Sequence, residues 1–111
     1  MDRYEILKNL SSEFRRGTLT LAVLSCLQTD KYGYALLEEL ESKAITIDQS
    51  TLYPLLRRLE TQGILKSKWE IEEAKPRKYY SLSMEGKEIY RILKIEWENL
   101  VKNMNQLMEE K

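Results

Sequence analysis

The sequence of 111 residues contains no histidine and a single cysteine, Cys26, and these shortages exclude several kinds of chemistry. Zinc, copper and haem sites of the usual ligand types need histidine or several cysteines, so we predict no metal and no cofactor. Ser-His-Asp and Cys-His catalysis lack their general base. Catalysis by carboxylates alone is the alternative that the composition leaves open, but most acidic residues lie beside Lys or Arg in helical patterns that are typical of a solvated surface. The sequence therefore predicts a protein that is not an enzyme.

Long apolar runs and disulfide candidates are missing as well. No apolar run approaches the roughly 18 residues that cross a bilayer, and the charged, amphipathic N-terminal segment is unlike a signal peptide. The lone Cys26 lies in the apolar stretch 21–27, which is typical of a reducing compartment. With 18 Lys plus Arg against 18 Asp plus Glu, the composition predicts one soluble, cytoplasmic domain without membrane contact.

Helical spacing of apolar residues predicts three helices in the first half of the chain. The first is amphipathic and covers 4–14, the second is apolar almost all round and covers 19–27, and a short third one begins at Gly33. Residues 45–47 predict a short extended piece. Three predicted helices and one extended piece thus precede the next helix.

The next helix, over 50–63, has the clearest pattern. Asp48 and Ser50 are both candidate N-caps, and Gly63 suits the position just past the C-terminus. Pro54 removes one early backbone hydrogen bond, so we expect a slightly irregular first turn. The buried face of this helix is predicted to consist of Leu52, Leu55, Leu56 and Leu59.

Two segments with β-branched and aromatic content, 64–71 and 78–82, flank a polar turn at 72–77 and predict a β-hairpin with a basic tip. Ser83 is then expected to cap a final helix of about 25 residues, in which Gly86 costs little stability. Apolar residues recur along this helix at a spacing of 3-4-3-4-3, typical of a helix that packs along another helix. The stripe consists of Tyr90, Leu93, Trp97, Leu100, Met104 and Leu107.

These elements predict a mainly α-helical fold with a small β-hairpin. We expect a winged helix-turn-helix domain over 1–83, followed by a C-terminal dimerisation helix over 84–111. The recognition helix would be the one with the four leucines, because no acid lies between Thr51 and Arg58. A helix that enters an anionic groove needs such a strip, so the fold predicts binding of double-stranded DNA.

The basic residues of the hairpin supply a second candidate contact with DNA. Lys75, Arg77 and Lys78 surround Pro76, which stiffens the turn and presents three cations to phosphate or to a narrow minor groove. The alternative is an ordinary solvent-exposed loop. Taken together with the acid-free helix strip, the pattern favours DNA binding.

Several runs of the sequence resemble the PadR family of winged-helix transcriptional regulators. These runs are YGYALLEELE at 32–41, STLYPLLRRLETQGIL at 50–65, SKWE at 67–70 and PRKYYSLSMEGKE at 76–88. The single C-terminal helix is similar to that of the short-chain branch of the family. The resemblance implies a homodimeric repressor that binds palindromic operator DNA near promoters and is released by a small hydrophobic or aromatic molecule.

The resemblance also implies roles for individual positions. The start of the second helix of the motif would lie near the phosphate backbone, through Tyr32, Gly33 and Tyr34. The recognition helix would contribute Ser50, Thr51, Tyr53 and Arg57. Gly33 is alternatively a residue that only helps the helix to start. Of Tyr79 and Tyr80, which alternate along a strand, one is expected to pack in the core.

Two apolar stripes, on the first and the last predicted helix, have no covering element within one chain. An exchange between two copies, in which the last helix of one meets the first and last helices of the other, would cover both. Trp97 would then approach its counterpart, and two indoles could hold a planar aromatic effector; alternatively, Trp97 only fills the interface. Phe14, Leu93 and Leu100 are further candidates for the wall of that site.

A winged-helix adaptor that binds another protein through its last helix is the competing interpretation. In such an adaptor the basic hairpin is incidental, and no specific DNA binding is expected. The two interpretations differ in one observable, since only a DNA-binding regulator shows salt-dependent affinity for duplex DNA.

Overall fold

A computed structural model describes residues 1–109, which form four α-helices and three β-strands. In chain order the elements are α1 (Arg3–Cys26), β1 (Lys31–Tyr32), α2 (Gly33–Ser42), α3 (Gln49–Thr61), β2 (Leu65–Glu72), β3 (Lys75–Leu82) and α4 (Met84–Met108). The strands form one antiparallel sheet in the order β1-β3-β2. Helices α2 and α3 are the helix-turn-helix pair and the β2–β3 hairpin is the wing, so the predicted fold class is confirmed.

Helix α1 is one continuous helix of 24 residues, so the prediction of two separate helices over 4–14 and 19–27 is wrong. Gly17 lies in its interior without interrupting it, because a helix tolerates an interior glycine at a cost of about 1 kcal/mol. The second half of α1 enters the core, where Val23 and Leu24 are fully buried. The first half is an exposed arm.

Leucines from three helices and the sheet form most of the core. The fully buried large side chains are Val23, Leu24, Leu27, Leu36, Leu40, Leu52, Leu56, Leu59 and Leu82. The predicted apolar face of α3 is confirmed, since all four of its leucines are buried. Tyr80 is buried as well, whereas Tyr79 is only half-buried. Burial of a leucine side chain contributes roughly 1.5–3 kcal/mol, so this face fixes α3 firmly in the domain.

Asp48 is the N-cap of α3, and Ser50, the other candidate, supports it. The Asp48 carboxylate accepts from the backbone N–H of Thr51 at 2.9 Å and from the Ser50 hydroxyl at 2.7 Å. At the other end, Gly63 has a φ of 82°, the left-handed conformation expected just past a helix. Both ends of the recognition helix are therefore set by local sequence.

The strand predicted at 45–47 is wrong, because these residues are irregular. Ile47 is buried and Ile45 packs against the core, so their apolar character anchors the connection between α2 and α3. The third strand is instead β1, whose two residues pair with β3 immediately before α2 begins.

The hairpin turn consists of Glu73 and Ala74, so the prediction of a turn over 72–77 is wrong. Both residues have a positive φ, 50° and 66°, as a two-residue type I′ turn requires. Strand β3 therefore begins at Lys75. The cations of the predicted basic tip lie along this strand, where successive side chains face opposite sides of the sheet.

The start of α4 is fastened to the start of the wing through Ser83, which is the predicted N-cap. Its hydroxyl accepts from the Gly86 N–H at 2.9 Å and donates to the Gly63 carbonyl at 2.7 Å. Its own N–H donates to the Ile64 carbonyl at 3.0 Å. Gly86 is buried, and a Cβ built on it would overlap the Ile64 carbonyl oxygen. The sequence predicts only that glycine costs little stability at position 86. The contact with Ile64 shows that glycine is required at this position.

Replacing Gly86 with Ala should destabilise the protein, whereas Gly17→Ala should not. The added methyl group forces α4 away from the wing, and overpacking of this kind costs about 1–3 kcal/mol. At Gly17 a Cβ has open space, and alanine is the better helix former by up to about 1 kcal/mol. Urea unfolding at one protein concentration measures both variants. Equal midpoints would contradict the packing at Gly86.

Candidate nucleic-acid interface

Helix α3 presents a polar and basic strip to solvent, opposite its buried leucine face. The exposed residues of this strip are Ser50, Thr51, Pro54, Arg57, Arg58 and Thr61. Within the described residues, Arg57 and Arg58 form no ion pair with a carboxylate. Both guanidinium groups are therefore free to meet phosphate oxygens or the edges of bases.

Gly33 allows the recognition helix to approach the start of α2. A Cβ built on Gly33 would overlap the aromatic ring of Tyr53, so only glycine leaves room for that ring. Gly33 is buried, Tyr53 is half-buried and Tyr34 is exposed. The structure thus places Gly33 beneath Tyr53, a packing role that neither sequence interpretation of this glycine included.

The outer face of the sheet, which points away from the core, carries a closed cluster of four side chains. The Arg77 guanidinium lies 4.4 Å from the centre of the Tyr32 ring and 3.4 Å from the Glu72 carboxylate. The Tyr79 hydroxyl donates to Glu72 at 2.7 Å, and this hydrogen bond raises the pKa of Tyr79. The Tyr32 and Tyr79 rings meet edge to face at 5.5 Å. The cluster holds β1 to the wing and occupies both Tyr32 and Arg77, two of the predicted DNA contacts.

Lys78 lies on the inner face of the sheet, which points toward the core and α3. Its Nζ atom is 3.2 Å from a Glu60 carboxylate oxygen, and the other oxygen of Glu60 accepts from the Ser67 hydroxyl at 2.5 Å. The Ser67 hydrogen bond lowers the pKa of Glu60. One carboxylate on the last turn of α3 therefore holds both strands of the wing.

The three predicted hairpin cations are thus not equivalent. Arg77 is paired with Glu72 and Lys78 with Glu60, whereas Lys75 is exposed and has no carboxylate partner among residues 1–109. Sequence reasoning missed Glu60 as a positioning residue. The available signal was its place on the last turn of α3, shortly before the wing.

A groove of about 660 Å³ lies between α1 and α4. Its lining consists of Gly17, Thr18, Thr20, Leu21, Leu93, Glu96, Trp97, Asn99, Leu100 and Asn103. Three of the four residues predicted for the effector or dimer interface therefore line one groove. The fourth, Phe14, lies apart on the exposed arm of α1.

Two further findings concern metal and thiol chemistry. Residues 1–109 contain no group of three or more His, Cys, Asp or Glu side chains that could hold a metal ion. Cys26 is half-buried, and burial, followed by the charge of Glu39, raises the pKa of its thiol. The thiolate, which is the reactive form, is therefore disfavoured.

No helix in the described part of the chain is long and apolar enough to span a membrane.

The arrangement of these elements matches a known family. The model of the "Transcriptional regulator PadR-like family" matches residues 21–92, from the second half of α1 into the first half of α4. The chain belongs to the PadR-like family of transcriptional regulators. The predicted resemblance is thereby confirmed, as is the prediction that the protein is not an enzyme.

Solved structures and a sequence relative agree with this membership. A PadR family transcriptional regulator from Eggerthella lenta is 43% identical, with a TM-score of 0.89 over 96% of both chains. A transcriptional regulator from Clostridium thermocellum is 35% identical, with a TM-score of 0.76 over 85% of this chain and 96% of that one. Transcriptional regulator Rv3488 of Mycobacterium tuberculosis is 30% identical over 76 residues, which cover 68% of this chain and 71% of that protein.

For this PadR-like regulator, we expect Lys75→Ala and Lys78→Ala to differ in the salt dependence of DNA binding. Loss of the free Lys75 ammonium should make the slope of log K against log salt shallower by about one unit, since one fewer counterion is released. Lys78→Ala should change the slope by less than half as much, because Glu60 already neutralises that charge. Fluorescence anisotropy with one duplex at several salt concentrations measures both slopes. Equal changes would show that Lys78 leaves Glu60 for phosphate.

Proposed function

We propose that this PadR-like regulator is a homodimeric repressor that binds palindromic operator DNA and is released by a small planar aromatic molecule. Family membership makes it a DNA-binding transcriptional regulator. The observation that carries the finer proposal is the pair of uncovered apolar faces on α1 and α4, the two helices that flank the DNA-binding core.

These two faces are too large for an isolated subunit to leave in water. The exposed side chains on them include Ile6, Leu7, Leu10 and Phe14 on α1, and Trp97, Leu100, Met104, Leu107 and Met108 on α4. Monomers rarely expose contiguous apolar patches above a few hundred Å². A two-fold exchange that places α4 of one copy against α1 and α4 of the other covers both faces.

A two-fold dimer presents two copies of α3 to one side of a duplex. Their spacing should match successive major grooves, about 10 bp apart or a multiple of this, so the operator should be palindromic. Arg57 is free to make a bidentate contact with guanine. No side chain caps the start of α2 at Tyr32, so its first backbone N–H groups are available to phosphate beside Tyr34.

The groove between α1 and α4 supports a site for the effector. Leu93, Trp97 and Leu100 provide apolar and aromatic walls, and Glu96 and two asparagines provide polar groups at its edge. Because α4 is fastened to the wing through Ser83, a ligand that spreads the α4 pair changes the distance between the recognition helices. Release of DNA would follow from that change.

Arg57→Ala should remove discrimination between operator and random DNA. One bidentate contact with a base is worth about 1–3 kcal/mol, so operator affinity should fall roughly 5- to 150-fold while affinity for random DNA falls much less. Duplexes selected by the protein from a random library supply the operator, and anisotropy measures binding. Arg91→Ala on α4, where Arg91 pairs with Glu88, is the matched control and should retain discrimination.

The same duplexes test the dimer. Moving one half-site by about 5 bp, half a helical turn, should abolish tight binding, because the second α3 then faces the wrong side of the duplex. Equal, weak affinity for every duplex and every spacing would contradict the proposal and favour a protein–protein adaptor.

Trp97→Ala should weaken the dimer and remove the response to planar aromatic compounds. Truncation of a large aromatic side chain costs about 3–5 kcal/mol in a packed core and less in a lined pore. Sedimentation measures the dimer, and quenching of tryptophan fluorescence by a planar dye measures binding, with Trp69 as the remaining fluorophore. Trp97→Phe should preserve the dimer. A tight Trp97→Ala dimer that still binds the dye would show that Trp97 is neither anchor nor sensor.

A further inference from the structure

A second groove, of about 730 Å³, lies between α1 and the connection that leads from α2 to α3. Its volume falls within the range of about 300–1,000 Å³ that is usual for small-molecule sites. It opens on a different side of α1 from the groove that contains Trp97, and Thr18 belongs to both linings. We call it the connection groove. Its lining includes Arg15, Arg16, Leu19, Leu37, Ile45 and Ile47.

The floor of the connection groove is aliphatic. Leu19, Leu37 and Ile45 are half-buried and pack against the core, while Ile47 is buried. No aromatic side chain is present among the described residues that line this groove. A planar ring therefore finds no stacking partner here, in contrast to the groove with Trp97. The floor suits an aliphatic chain, which gains from leaving water and needs no directed contact.

Two cations stand at the α1 side of this floor. Arg15 and Arg16 are both exposed, and neither forms an ion pair with a carboxylate within residues 1–109. A guanidinium group binds a carboxylate through two parallel hydrogen bonds. Two free guanidinium groups beside an aliphatic floor match a molecule that carries one carboxylate on an apolar chain.

The opposite wall carries two acids, Glu41 and Asp48. Asp48 is already engaged as the N-cap of α3, where it accepts from the Thr51 N–H and the Ser50 hydroxyl. Acids on this wall repel a polyanion such as the DNA backbone, whose phosphates repeat along its whole length. A small molecule with a single carboxylate at the α1 side avoids that repulsion. The charges of the groove therefore favour a small anion over DNA.

The connection groove and the proposed dimer interface use different sides of α1. The apolar stripe of α1 consists of Ile6, Leu7, Leu10 and Phe14, all exposed. In an ideal α-helix, the α1 positions that line the connection groove are centred about 150° around the helix axis from this stripe. A partner copy that covers the stripe thus lies on the other side of the helix from the groove.

We propose that the connection groove binds a medium-chain aliphatic carboxylate, with the carboxylate held by Arg15 and Arg16 and the chain lying over Leu19, Leu37 and Ile45. The inference goes beyond the proposed function and does not rest on it, because the site lies within one chain and its ligand is not DNA. The connection ends at Asp48, the N-cap of α3. A bound ligand therefore contacts the segment that positions the recognition helix.

The first test measures binding of dodecanoate, below its micellar concentration, to the whole protein by isothermal titration calorimetry. The parent protein should bind it saturably, with one molecule per chain. The double variant Arg15→Gln, Arg16→Gln should bind roughly 10-fold more weakly or worse, because the charge-assisted hydrogen bonds are lost. Arg3→Gln is the matched control, since Arg3 is an exposed arginine of α1 outside the groove and its loss should leave the affinity unchanged.

The second test reverses the charge of the head group. Dodecyltrimethylammonium has the same chain length but carries a cation, which the two arginines repel. It should bind the parent protein more weakly than dodecanoate does, and the double variant should not weaken its binding further. Equal affinity for both head groups would show that any amphiphile adheres to apolar surface, and would overturn the inference.

The remaining outcomes assign the site. Trp97→Ala should retain dodecanoate binding; if it loses binding while the double arginine variant binds normally, the ligand lies between α1 and α4 and the inference is overturned. If dodecanoate does not bind and the double variant instead loses affinity for duplex DNA, the two arginines contact phosphate, which also overturns it. Dodecanoate binding by a protein that binds no DNA would leave this inference standing and contradict the proposed function alone.

Discussion

The contact between Gly86 and the carbonyl of Ile64 is the constraint on which the placement of every functional element depends. Helix α3 ends, the wing begins and α4 begins within this one junction, which Ser83 closes with hydrogen bonds to both Gly63 and Ile64. A side chain at Gly86 would force these elements apart. The helix proposed to read DNA and the helix proposed to dimerise thus diverge from one rigid point, so a change in the direction of one changes the direction of the other.

The long helices could be predicted from the sequence, because the helical spacing of their apolar residues is visible in a single sequence. The leucine face of α3 and the apolar stripe of α4 are of this kind. The sequence predicts two helices where α1 is one, because an amphipathic pattern over 4–14 gives way to an apolar run over 19–27, and such a change of pattern does not by itself end a helix. The wing turn escaped prediction because Glu73 and Ala74 lack the Asn-Gly signature usual for their conformation.

The candidate site was only partly predictable, for a different reason. The outward strip of α3 follows from its own periodicity, and the structure exposes it as expected. The availability of the wing charges does not follow from periodicity, because it depends on ion-pair partners that residue spacing does not reveal. Lys78 meets an acid on another element, Glu60, while Arg77 meets Glu72 across the hairpin. A run of basic residues therefore overstates the charge that is free to reach DNA.

The unbroken course of α1 bears on how quickly two copies would associate in the proposed dimer. Because its second half is held in the core, the exposed arm is already helical before a partner arrives, and Asp2 closes its free end with a capping box. Association then needs no folding of the arm, and little chain entropy is lost in the encounter. Surfaces prepared in this way form complexes at rates set by diffusion and orientation instead of by a slow ordering step.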